Sequence, residues 1–262
     1  MNSVALAANL LLIAVLVAIF VEAVRRRRET ARWLPAGLAC AAVIVTADVF
    51  LYVVTPAEQR LVPPAFYVIA MLVVVARTIS VTAVGLAAAE RIGIRPLALT
   101  ASAGDRPPRR VPIVIGAGIA GGLLVALYST GLFLVTDPDP AGGGLVAPPP
   151  PLQGGAFVLL LIALTANVLA EELTFRLGIP NYLAAIFGWS GGRYWIAVAL
   201  SSALWSAGHI GILDPDWVKL GQIFPAGLLF SWLFLRFGFE ASVIAHAVLN
   251  MLMPYATPAV LG

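Results

Sequence analysis

The run FVLLLIALTANVLAEELTFR, residues 157–176, starts as a membrane span and ends on two carboxylates and a guanidinium. A span needs about 20 mostly apolar residues, and the first part of this run supplies most of one. Glu171, Glu172 and Arg176 then stand where ionisable groups cost about 2.5–3.5 kcal/mol each on insertion scales, so each needs a reason.

The surrounding chain explains the setting. Its 262 residues are 61% hydrophobic and 11% charged, with a mean hydropathy of +0.97, whereas soluble domains carry about 25% charged residues. The composition therefore points to an all-α, polytopic membrane bundle with about eight transmembrane helices. The spans read at about 4–24, 35–54, 66–89, 112–135, from 155 through the quoted stretch, then 194–212, 218–236 and 241–255. The N-terminal half covers 1–136 and includes a basic connector at 90–111. A Pro/Gly-rich loop at 137–154 is unfit for helix and leads to a second half at 155–262. Cys40 is the single cysteine, so no intramolecular disulfide or cysteine metal cage is available.

Arginines set the expected orientation. RRRRE follows the first span, which reads as a retained helix rather than a cleaved signal. Arg25–Arg28 and Arg32 follow span one, Arg91, Arg95, Arg106, Arg109 and Arg110 follow span three, and Arg193 and Arg236 follow spans five and seven. The alternate loops hold only Arg60 and Lys219 as cations. The positive-inside rule places both termini outside, and the Ala-, Val- and Arg-rich usage suggests a bacterial plasma membrane.

Some intramembrane charges read as structural. Asp48 and Arg77, on a hairpin of spans two and three, are expected to form an ion pair. Glu172 and Arg176 are i and i+4 on one face, acid first, the favoured order. Glu171 is rotated from them by about 100° and lacks that arginine. Carboxylates without a local cation in a low-dielectric medium hold protons more readily, which suits a general base.

The chain's two histidines, His209 and His246, both fall in expected spans. A turn centred on Ser190 puts Glu171 and His209 each 19 residues away, at matching depth on neighbouring helices; Pro180 is expected to kink the first arm. Counting from the loops instead separates the two histidines by about 9 Å in depth. Asn250 is i+4 from His246, on the same face. Taken singly, a buried histidine, a Glu–Arg pair or a span asparagine is usually structural. Together they point to one site.

EELTFR (171–176) matches an EExxxR motif, WSAGH (205–209) an aromatic-xxx-H motif with Trp205 where Phe is common, and HAVLN (246–250) an HxxxN motif. In order and spacing, about 155–255 resembles the CAAX-protease and bacteriocin-processing family of intramembrane glutamic endopeptidases. One departure is Leu177, where many members have Gly; Gly178 follows. The resemblance implies that Glu171 activates water with help from His209, that His246 and Asn250 hold the oxyanion, and that Glu172 and Arg176 give structural support. It implies no cofactor and no metal. The expected partners are a peptide or protein substrate, lipidated or not, and the bilayer, with no nucleic acid. Two rival readings use the same residues: a zinc-dependent protease with Glu171, His209 and His246 as ligands, and a non-catalytic scaffold, bacteriocin-immunity protein or transporter.

Overall fold

In the computed structural model, residues 3–55, 62–98, 111–140 and 155–261 are described. Most of the basic connector and of the Pro/Gly-rich loop lies outside them. The helices are α1 (Ser3–Arg25), a short α2 (Arg27–Thr30), α3 (Leu34–Val54), α4 (Pro64–Arg91), α5 (Val111–Thr136), α6 (Gly155–Glu172), α7 (Ile179–Phe187), α8 (Tyr194–Ala207), α9 (Asp216–Phe237) and α10 (Phe239–Leu261). Five helical stretches are long and apolar enough to cross a bilayer: 3–25, 27–54, 64–91, 111–136 and 216–237. The chain is an all-α, multi-pass membrane protein.

Contacts between loops fix how the helices alternate. Arg32 pairs with Glu90, and Arg91 lies 4.0 Å from Glu29, so the chain after α1 meets the C-terminal end of α4. Ile92 and Ile94 pack near Ala184, Trp189 and Tyr194. The Phe239 amide donates to Pro96 O at 2.7 Å, and the Ala98 amide to Glu240 Oε2 at 3.0 Å. The loops after α7 and α9 therefore share that arginine-rich end. A two-residue antiparallel pair, β1 (Asp139–Pro140) with β2 (Leu213–Asp214), joins the loops after α5 and α8.

The bundle is inverted relative to a soluble protein. Large apolar side chains such as Leu10, Val17, Phe66, Leu127 and Trp217 face outward, while Glu172, Arg176, Asn181, Gln222 and His246 are buried. Apolar surface gains nothing by leaving lipid, so helix association rests on close packing and internal polar bonds. A glycine stripe on α5 supplies the first. A Cβ at Gly118 would lie 2.7 Å from Ile244, and one at Gly122 would lie 2.5 Å from the Ala245 carbonyl oxygen. The N-terminal α5 therefore seats α10, the helix that carries His246.

The quoted stretch does not run as one helix. After Glu172 the backbone widens into a π-helical turn over Leu173–Gly178, and α7 starts at Ile179. Pro180 stands in the first turn of α7, where a missing N–H costs little, so the break precedes it. Carbonyls within the turn find side-chain donors: Ser201 Oγ donates to Phe175 O at 2.8 Å and Asn181 Nδ2 to Leu177 O at 2.7 Å. Tyr194 OH holds Asn181 Oδ1 at 2.9 Å. The turn also accommodates the Leu177–Gly178 departure. Gly178 faces α4, where a Cβ would lie 2.5 Å from Val81 Cγ1.

Two expectations need correction. The sixth span ends at Ala207, before His209, which sits in the following turn. Asp48 and Arg77 feel each other's charge but make no ion pair within 4.0 Å. Arg77 also feels the charge of Glu171.

Gly122→Val is expected to destabilise the protein by about 1–3 kcal/mol, because the added side chain meets α10 backbone. Gly131→Ala, with open space around it, is the control and should cost nothing. Thermal unfolding in detergent distinguishes the two.

Candidate functional site

Glu171 and Glu172 close α6, so their side chains leave the helix on different faces. Glu172 is fully buried. His246 Nδ1–H donates to its Oε1 at 2.8 Å, Ser242 Oγ donates to Oε2, and Arg176 Nε lies 3.5 Å from Oε1. Ser242 and His246 are i and i+4 on α10 and clasp the carboxylate together. A buried carboxylate persists only with such a set of partners.

Arg176 is also buried, and none of its three guanidinium nitrogens makes a hydrogen bond among the described residues. Its charge is offset by Glu172 and by aromatic faces. The guanidinium carbon sits 4.0 Å from the Trp205 ring centroid and 5.4 Å from that of Phe230, within the range of attraction to a ring quadrupole.

Glu171 is partly exposed, with 23% of its side chain accessible. Asn167 Nδ2, one turn earlier on α6, donates to Oε1 at 2.8 Å, and Trp205 Nε1–H donates to Oε2 at 2.6 Å. Both donors are neutral, and Arg176 pairs with Glu172 rather than with Glu171. His246 Nε2 lies 3.9 Å from Glu171 Oε2. One imidazole thus stands between the two glutamates, with Nδ1 on the buried acid and Nε2 toward the accessible one.

His209 joins the group through Trp205. Its Nδ1–H donates to the Trp205 carbonyl at 2.8 Å; a carbonyl only accepts, so Nε2 is the unprotonated nitrogen of the neutral ring. The ring centroids of His209 and His246 lie 5.5 and 5.3 Å from that of Trp205. Both histidines therefore flank one indole. Asn250 lies one turn beyond His246, half-buried and without a hydrogen bond among the described residues. Charges from further elements reach the site as well: Lys219 of α9, hydrogen-bonded to Gln222 at 2.7 Å, and Arg77 of α4 both sense Glu171.

The structure therefore gathers Glu171, Glu172, Arg176 and His246, and adds His209 beside Trp205. Sequence reading missed Asn167, Ser242 and the indole donor of Trp205. The first two were visible as polar residues four positions before Glu171 and His246, on the same helix faces. Trp205 was read only as an aromatic. An apolar groove of about 840 Å³ lies between α3 and α6, with Phe50, Leu161, Thr165 and Ala166 among its walls.

Comparison with known proteins fits this geometry. Residues 153–252 match the family described as type II CAAX prenyl endopeptidase Rce1-like. The family read from the three motifs is borne out over that region. The chain is also 29% identical over 86 residues to the sporulation-killing factor biosynthesis protein SkfC of Bacillus subtilis (strain 168); the match covers 32% of this chain and 16% of SkfC. No solved structure matches.

Replacing Glu172 by Gln leaves Arg176 buried without its counter-ion, and a loss of about 3–5 kcal/mol in stability is expected. Glu171→Gln, at a partly exposed position with neutral donors, should change stability far less. Yield and unfolding temperature in detergent measure both.

Proposed function

We propose that this protein is an intramembrane endopeptidase in which Glu171 activates water for hydrolysis of a peptide bond in a membrane-associated substrate. The observation that carries this reading is His246 set between the buried and the accessible glutamate, inside a membrane bundle. Hydrolysis needs a base, a nucleophilic water and donors for an oxyanion, and these residue types supply them.

Glu171 retains acceptor capacity beyond its two bonds, because a carboxylate offers about four lone-pair sites. Water held by Glu171 and by His209 Nε2 loses a proton to Glu171 as its oxygen attacks the substrate carbonyl carbon. The carbonyl π electrons move to oxygen. Asn250 Nδ2 and the His246 imidazole, held at Nδ1 by Glu172, stabilise that oxyanion. The tetrahedral intermediate collapses, the C–N bond breaks, and the amine takes the proton from Glu171. Each oxyanion donor is worth about 2.7–4 kcal/mol of barrier. Glu172 and Arg176 hold His246 and Trp205 in place and take no proton.

The groove between α3 and α6 suits the apolar anchor of a membrane-associated substrate, because it is lined almost wholly by apolar side chains. The likeness to a killing-factor biosynthesis protein favours a precursor peptide as substrate class. A zinc-dependent protease would use the same side chains; among the described residues no three of His, Cys, Asp or Glu form a group placed to hold a metal ion.

The test is cleavage in phosphatidylcholine–phosphatidylglycerol proteoliposomes of acyl-anchored precursor-like peptides, with products read by mass spectrometry. Glu171→Gln and His209→Ala should each abolish cleavage while the proteins still insert, and a chelator should leave the wild-type rate unchanged. A Glu171→Gln protein that still cleaves at the wild-type rate sinks the mechanism, and one that does not cleave yet rescues a deletion phenotype favours a scaffold. Thr165→Trp, in the groove wall, should slow cleavage of the anchored peptides at least tenfold and spare the same peptides without the anchor.

A further inference from the structure

Trp205 makes more site contacts than its motif requires. The motif asks for an aromatic ring, and phenylalanine would meet it. The indole does something a phenyl ring cannot: its N–H donates to Glu171 Oε2 at 2.6 Å. Its face carries the Arg176 guanidinium at 4.0 Å, and its backbone carbonyl fixes His209 Nδ1 at 2.8 Å. The ring is 2% exposed, so these contacts form away from water, where a charge-assisted hydrogen bond is strong.

We propose that Trp205 is a positioning residue that couples Arg176 electrostatically to Glu171. A cation over an aromatic face draws π density toward itself. The indole N–H then becomes more positive and a better donor, a cooperative effect of the kind seen in hydrogen-bond chains. Glu171 lies on a different helix face from Arg176, yet receives part of its influence through the ring between them. The bond also sets the direction of Oε2. With Asn167 on Oε1 and Trp205 on Oε2, the carboxylate has one orientation, toward His246 and the space where water must sit. This role rests on the reading of Glu171 as the base.

The test has a spectroscopic arm and a kinetic arm. Protein labelled with ¹⁵N at its tryptophan indoles is recorded in detergent, and the Trp205 resonance is assigned by its loss in Trp205→Phe. A carboxylate acceptor should place its proton downfield of the other tryptophans, and Glu171→Gln should move it upfield by at least about half a part per million. A resonance unmoved by Glu171→Gln overturns the bond and the proposal. In the kinetic arm, Trp205→Phe keeps a ring for Arg176 but removes the donor. A donor aimed at a carboxylate favours its ionised form, so the acid limb of kcat/KM, measured with a peptide the wild type cleaves, should move to higher pH by about one unit. The high-pH plateau of kcat should fall as well, because the carboxylate loses its fixed direction, while KM stays near wild type. Benzothienylalanine at position 205 matches the indole in shape without the N–H and should shift the limb equally, which keeps the test valid if Trp205→Phe folds poorly. An acid limb unmoved in both variants overturns the proposal. Full activity of Glu171→Gln instead overturns the function, and the two failures are read from different proteins.

Discussion

The structure depends on keeping the Glu172 carboxylate out of water. An ionised group at that depth is stable only when its lone pairs meet donors and its charge meets a cation. Arg176 supplies the charge from the same chain segment; His246 and Ser242 supply donors from α10. Satisfying one acid therefore fixes the approach of α10 to α6 and the orientation of an imidazole. It also places Arg176 against Trp205, which reaches Glu171. A structural necessity and the geometry of the candidate site are the same set of bonds.

The N-terminal half lies outside the matched region, yet it shapes the site. The α5 glycines let α10 approach closely, and α4 packs Val81 on Gly178 and Gly85 against Leu177 at the π turn. Arg77 adds charge from α4. By contrast α1 buries little beyond Ala5, Ile19 and Glu22 and lies at the periphery.

Much of this was legible in the sequence, for physical reasons. The all-α membrane bundle follows from apolar composition, although five helical stretches among the described residues, not eight, are long and apolar enough to cross, and Glu172 with Arg176 follows from helical spacing. The separate facing of Glu171 and Glu172 follows from the 100° step. Depth was less legible. Counting residues from loops assumes straight helices that end at the membrane surface, whereas α8 stops at Ala207 and leaves His209 in a turn. The donors on Glu171 were hidden because Asn167 reads as a span residue and an indole N–H reads as hydrophobic bulk. Asp48 and Arg77 influence each other electrostatically without an ion pair within 4.0 Å, because matched depth alone does not bring two side chains into contact.

The π turn at Leu173–Gly178 separates two angular registers in one continuous segment. Upstream, the phase of the helix is set by where the carboxylates must point; downstream, it is set by how α7 meets α4. A uniform α-helix would lock these two demands together, so that any gain or loss of a residue would rotate one against the other. Here the wider turn takes up the mismatch, with Ser201 and Asn181 tending its carbonyls. The chain can vary in length at this point while the chemistry on one side and the packing on the other keep their bearings.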